Sequence, residues 1–262
     1  IQVLYTIFWN QNHNIKDASL FVFSYIMRLN IKNSVFKNIQ SLRVDILSVR
    51  TLTMSNNVMV KCRSLVDIKN PVHNVSIVLL KNKFINCISV HSKAFINILE
   101  LHKEQNLVSK IIFYVEIIFN QTTFKNCLLV TGSALFSISQ NIKQTNLIIQ
   151  LLIINSLFLN NTSSNVQGVL LMSAIKYLSI SHCTYLGNQL EYASIIHLEE
   201  INSVIFFNNR LAFNNIRTDK DGILEIHNAN LLKIISTFLN RNAIKGFGSS
   251  IVVNKVKVMM LG

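Results

Sequence analysis

Asn120-Gln121-Thr122-Thr123-Phe124-Lys125-Asn126-Cys127-Leu128-Leu129 runs on through Val130-Thr131 into Gly132-Ser133-Ala134-Leu135-Phe136-Ser137-Ile138. Two words sit in this stretch. The first is a small polar residue, an aromatic two positions later, one further residue, then Asn. It returns as Phe36-Lys37-Asn38, Phe84-Ile85-Asn86, Phe158-Leu159-Asn160 and Phe238-Leu239-Asn240, and more loosely as Phe8-Trp9-Asn10, Tyr185-Leu186-Gly187-Asn188 and Phe213-Asn214-Asn215. Ser34, Ser156 and Ser236 repeat the small polar position of Thr122. The second word is a small residue followed by apolar ones: Ala94-Phe95-Ile96, Ala193-Ser194-Ile195-Ile196-His197-Leu198, Gly222-Ile223-Leu224-Glu225-Ile226 and Gly248-Ser249-Ser250-Ile251. Phe36 to Leu47, Phe84 to Phe95 and Phe124 to Leu135 are each 11 residues apart, so the words are locked at one offset and mark an internal repeat.

Aligned on the aromatic, the anchors fall at 8, 36, 60, 84, 124, 158, 185, 213 and 238. Val60 is placed by spacing, with Cys62 at its Asn position. Two longer steps carry polar insertions near 99–112 and 139–147, and residues 1–262 read as a single domain. Each unit holds two or three short runs rich in Ile, Val and Phe, separated by Asn, Ser or Gly turns, and lacks a helical period. Short strands that turn one way and stack on the next copy predict an all-β, right-handed parallel β-helix of about nine coils. At one strand spacing per coil, roughly 4.8 Å, the rod is about 40 Å long. Phe36, Phe84, Phe124, Phe158, Tyr185, Phe213 and Phe238 then pile up in the bore. Asn38, Asn86, Asn126, Asn160, Asn188, Asn215 and Asn240 take corners, where Asn tolerates a left-handed backbone and its amide bonds the next coil's in a ladder.

These paired words resemble the Phe-x-x-Asn and Gly-Gly-Ala-Ile repeats of the chlamydial polymorphic outer-membrane proteins. They are also similar to the right-handed, pectin-lyase-like β-helix regions of large ciliate surface proteins. The likeness covers Phe8 to Val253, with Asn two rather than three residues after the aromatic and one small residue in place of the double Gly. It implies a structural or adhesive, non-catalytic segment of a cell-surface or secreted protein. The alternatives are a carbohydrate-active enzyme (polysaccharide lyase or glycosidase) on the same fold and, as a different fold, a leucine-rich-repeat binding module, whose period also fits. The repeat here lacks that motif's fixed Leu offsets and irregular return.

Composition narrows the rest. Half of the 262 residues are hydrophobic, enough for a core, which excludes disorder. Four Cys are too few for a disulfide-stapled miniprotein. No apolar run reaches the roughly 18 residues of a membrane-spanning helix, because Glu116 interrupts the best one. The chain starts Ile1-Gln2-Val3 with no basic leader, and is expected to be an interior piece of a longer protein. Its partners would be further coils or domains of that chain and glycan or protein ligands on the coil faces, with any membrane tether elsewhere. Nucleic acid is not expected. The net charge of +13 comes from 25 basic residues scattered singly, alongside 33 Asn, 36 Ile and 18 Lys, so it reads first as drift in composition. An anionic polymer would require those cations to gather on one face of the rod.

Reactive groups are sparse. Asp219 and Asp221, beside Arg217 and Lys220, are the one carboxylate pair able to face the same way, although Asp-Lys-Asp-Gly is also an ordinary turn. Glu199 and Glu200 are adjacent, so in a strand they point to opposite faces. No Cys-x-x-Cys or His-x-x-x-His spacing appears, so neither a metal nor a cofactor is expected. His182-Cys183 reads as packing. Cys87 and Cys127 each follow an anchor Phe by three residues and should stack, close enough for a disulfide or for a free thiol ladder. Asn74, Asn120, Asn160 and Asn161 head glycosylation sequons.

Overall fold

Short apolar runs broken by polar corners wind the chain into a parallel β-solenoid with three faces. The computed structural model describes residues 1–4, 6–9, 21–39, 42–69, 74–89, 96–100, 113–129, 136–138, 147–163, 169–191, 194–217, 222–246 and 249–262. Most of the two insertions, and the pair Asp219 and Asp221, therefore lie outside the described residues. A typical winding is Leu147–Ile154, Leu157–Leu159, Thr162–Ser163 and Leu170–Ser173. Its first and last segments belong to a long 17-stranded sheet, its second to a nine-stranded sheet, and its third to a five-stranded sheet. Neighbours pair in parallel; Leu147–Ile154 lies between Phe113–Asn120 and Tyr177–Ser181. No described residue is helical. The return side of each coil is itself strand, which removes the leucine-rich-repeat alternative.

The nine-stranded sheet records nine passes of the chain, but among the described residues fewer turns are closed on every face. There, five windings carry a full third strand, and a sixth is closed by Ile88, which bridges Arg63 and Leu128. About six complete turns thus stand where the repeat arithmetic expects nine coils. The third face is shortest because Leu128–Leu129 and Thr162–Ser163 supply only two residues each.

Alternation decides what goes inside. Val75–Leu80 reads buried, half-buried in strict succession, as a strand with one wet face must. In the nine-stranded sheet the inward position forms one column in register: Phe36, Met59, Phe84, Phe124, Phe158, Tyr185, Leu211, Leu239. Ring centroids are 4.7 Å apart for Phe84–Phe124, 5.5 Å for Phe124–Phe158 and 4.6 Å for Phe158–Tyr185, each pair stacked nearly parallel. Three anchors differ from the sequence reading. Met59 replaces Val60, Leu211 replaces Phe213, and Leu239 replaces Phe238, because the residue after each left-handed corner fixes the phase of the strand that follows. Phe213 is itself a left-handed corner residue (φ 54°), and Phe238 points outward, 63% exposed.

The Tyr185 hydroxyl is buried with no hydrogen-bond partner among the described residues. Removing it by Tyr185→Phe keeps the stack and relieves a desolvation cost. The expected result is a gain of about 1 kcal/mol in urea denaturation.

Corners use left-handed backbone throughout. Among the described residues, nineteen non-glycine residues have φ between 47° and 56°, and nine of them are Asn, so Asn is favoured there without being required. Gly187 takes the same role at φ 66°, where a Cβ would sit 2.3 Å from Asn160 Oδ1.

Candidate functional site

At the two corners that flank the aromatic face, the residue after the left-handed one is a small polar side chain tucked against the neighbouring coil, with Ile39 after Asn38 the exception; at the remaining corners it is apolar, as at Ile175, Ile201 and Ala229. At the corner entering the aromatic face the polar side chains are Ser34, Asn57, Asn82, Thr122, Ser156, Cys183 and Asn209, all buried. At the corner leaving it they are Cys62, Cys87, Cys127, Asn161, Asn188, Asn214 and Asn242. Each of these seven donates to the carbonyl of the preceding coil's aromatic-column residue, from Cys62 Sγ on Phe36 O (3.4 Å) to Asn242 Nδ2 on Leu211 O (2.7 Å). The amides also bond one another: Asn161 Nδ2 donates to Asn188 Oδ1, Asn188 Nδ2 to Asn214 Oδ1, and Asn214 Nδ2 to Asn242 Oδ1, each at 2.9 Å. Thiols and amides thus do one job in one column.

This relocates the ladder. Asn38, Asn86, Asn126 and Asn160 hold the left-handed corners (φ 50° to 54°), one residue before the ladder position. Asn188 is in the ladder. Asn215 lies in a strand of the short face, paired with Gln189 and Ala243, and Asn240 ends an exposed strand paired with Ala212. They miss the column because their anchors, Phe213 and Phe238, are out of phase with it.

All four cysteines are free and buried. Cys87 and Cys127 do stack, yet each donates to a carbonyl rather than pairing covalently. Hydrogen bonding from Cys127, with burial, pushes the Cys87 thiol up to about 12, and the neighbouring Cys87 raises Cys62 further. Burial pushes Cys183 up to about 12. These are protonated packing groups, not nucleophiles. His182 stands exposed at a corner, edge-on to Phe207 at 5.4 Å, while Cys183 Sγ donates to Ile153 O.

Sequons are sorted by the same geometry. Asn74 and Asn160 are exposed, Asn120 is half-buried with its Oδ1 enclosed, and Asn161 is fully buried in the ladder. Passage through a secretory pathway is expected to leave Asn161 unmodified in glycopeptide mass spectra, with any occupancy at Asn74 or Asn160.

The most reactive constellation is one the motifs did not mark. Ser194, His197, Glu225 and His227 converge on the long sheet. Cross-strand pairing places His197 opposite Glu225, and His227 follows two residues later on the same face. Glu225 Oε2 accepts from Ser194 Oγ (2.8 Å) and contacts His197 Nδ1 (2.8 Å), while Oε1 contacts His227 Nε2 (2.6 Å). The residue is only 8% exposed. Burial alone would raise its carboxyl; bonds from both imidazoles and Ser194 outweigh that and hold it at about 2. A depressed carboxyl stabilises the fold above its unfolded value and loses that support as pH falls through about 2. Glu225→Gln is therefore expected to destabilise the protein at pH 7, by about 2 kcal/mol in urea melts, and to matter progressively less below pH 4. Glu199 ends the preceding strand, opposite His227, and Glu200 turns the corner at φ 56°. No group of three His, Cys, Asp or Glu among the described residues is arranged to hold a metal ion. Elsewhere on the long sheet, a cleft of about 250 Å³ is lined by Arg50, Asn74, Tyr114 and Glu116.

Compared with family models, curated proteins and solved structures, the chain matches none.

Proposed function

We propose that the chain is a stiff, non-catalytic β-solenoid segment of pectin-lyase-like kind, working structurally or adhesively in a cell-surface or secreted protein. One observation carries this reading: the inward and corner positions are spent on coil-to-coil stacking, in a ring column and two polar columns, which leaves the outer faces for display. Solenoids of this type offer long flat surfaces rather than enclosed pockets. Further coils or domains of a longer chain would continue the stack, and glycan or protein ligands would lie on the faces. The test is antibody labelling of the parent protein on intact cells. Labelling without permeabilisation is expected; staining only after permeabilisation would contradict it.

The Ser194–His197–Glu225–His227 cluster favours a second reading, a carbohydrate-active enzyme on the same fold. It brings one carboxylate, whereas glycosidases work with two. Asp219 and Asp221 shortly precede Gly222 in the sequence and lie outside the described residues. Under the leading reading, incubation with pectate and other polysaccharides releases no reducing ends. Release that Glu225→Gln abolished would establish the enzyme.

A further inference from the structure

Winding gathers charge that the linear sequence scatters. On the aromatic sheet, its two flanking corners and the short sheet, the described residues include ten Lys and Arg, all exposed, against one acid, Glu191. Glu191 is itself cross-strand from Arg217. The long sheet, by contrast, mixes signs through Glu116, Glu199, Glu200 and Glu225. The densest part of the basic side spans three successive coils. Lys61 and Arg63 come from the first, Lys81 and Lys83 from the second, and Lys125 from the third. Register makes them neighbours: Lys83 pairs with Val58 and Thr123, Lys125 with Ile85, Lys61 N donates to Ile85 O, and Arg63 bridges Ile88. Adjacent coils are about 4.8 Å apart, so these cations fit within roughly 10 Å along the rod. No acidic residue lies on this part of the surface among the described residues.

We propose that this face, carrying Lys61, Arg63, Lys81, Lys83 and Lys125, is a docking surface for a linear acidic polysaccharide. The floor between the cations is Val58, Val60, Ile85 and Thr123, half-buried and flat. Sugar rings lie along such a floor while their carboxylates or sulfates meet the ammonium and guanidinium groups. The coil rise is close to the advance of one pyranose, so successive charges of the polymer meet successive coils. Nucleic acid fits less well: among the described residues no aromatic side chain stands on this patch to stack a base, and no helix is present to enter a groove. A bilayer fits less well too: the described residues form no amphipathic helix, and the exposed apolar side chains beside the patch, Leu128 and Leu157, stand singly among the cations. A single-signed face focuses its field on polyanions and makes the contact salt-sensitive.

The inference deepens the display role and names the ligand class for it. The whole chain is titrated calorimetrically with a heparin oligosaccharide and an oligogalacturonate, and with duplex DNA and phosphatidylserine vesicles as competitors for the same charge. Two triple variants carry an equal change of net charge: Arg63→Glu with Lys83→Glu and Lys125→Glu on the face, and Lys233→Glu with Lys255→Glu and Lys257→Glu on the long sheet. The face variant is expected to lose affinity for an acidic glycan about tenfold or more, the other to stay within about threefold, and binding to weaken with added NaCl. If charge reversal unfolds the face variant, the Arg63→Gln, Lys83→Gln, Lys125→Gln triple is read instead. Equal losses in both variants, no binding of either glycan, or tighter binding of DNA or vesicles would overturn the inference. Such a result leaves surface location, tested by labelling intact cells, standing on its own.

Discussion

Phe124→Ala is expected to destabilise the solenoid by about 3–5 kcal/mol, the range for truncating a buried Phe whose surroundings relax only in part. Phe124 is fully buried and is sandwiched between Phe84 and Phe158, so its loss empties the middle of the column and breaks two stacked contacts at once. Each such contact contributes about 0.5–1.5 kcal/mol beyond buried area. The informative controls are Phe213→Ala and Phe238→Ala, exposed at 47% and 63% and outside the column, which should each change stability by about 0.5 kcal/mol or less. Urea denaturation of the three variants checks this ordering. Because coils touch only their neighbours, the central substitution is also expected to split the transition, with the two ends melting apart.

Asn188→Ala should rank next, at about 3 kcal/mol or more in the same measurement. The Asn188 side chain accepts from both Asn161 N and Asn161 Nδ2, and donates to Phe158 O and Asn214 Oδ1. Truncation removes four interior hydrogen bonds; Asn214 Oδ1 keeps its bond from Asn188 N and Asn161 Nδ2 its bond to Phe124 O, while Asn161 N and Phe158 O lose their side-chain partner, and each buried unsatisfied group costs about 1–3 kcal/mol. Asn126→Ala removes an exposed side chain from a left-handed corner and should cost only about 1–2 kcal/mol, through backbone preference. Asn188→Cys should fall between them, since Cys127 already fills the equivalent site with its Sγ 3.6 Å from Phe84 O.

What could be read in the sequence, and what could not, follows from how a solenoid uses residues. The ring column was legible at Phe36, Phe84, Phe124 and Phe158 because large side chains recur at one spacing. It was misread at Met59, Leu211 and Leu239, since the bore demands volume and not aromaticity, and nearby aromatics at 213 and 238 drew the alignment off phase. The Asn ladder was placed one residue early for a related reason. A left-handed corner and a buried amide ladder both favour Asn, and they occupy adjacent positions, as in Asn56-Asn57, Asn160-Asn161 and Asn208-Asn209. Cys62, Cys87 and Cys127 disguised the ladder further by substituting thiols for amides. The Glu225 cluster had a signal: overlaying Ala193–Leu198 on Gly222–Ile226 sets His197 against Glu225. The basic face had none in a linear scan, because Arg63, Lys83 and Lys125 become neighbours only through pairing between windings.

The winding itself is most directly tested by distances between nitroxide labels, one at Lys83 and the other placed in turn at Leu157, Thr184, Arg210 and Phe238. These positions share one outward row of the aromatic sheet. The measured separations should lengthen steadily, by about 4.8 Å for each coil added. Separations that fail to grow with coil number would contradict the stacked solenoid and everything drawn from it.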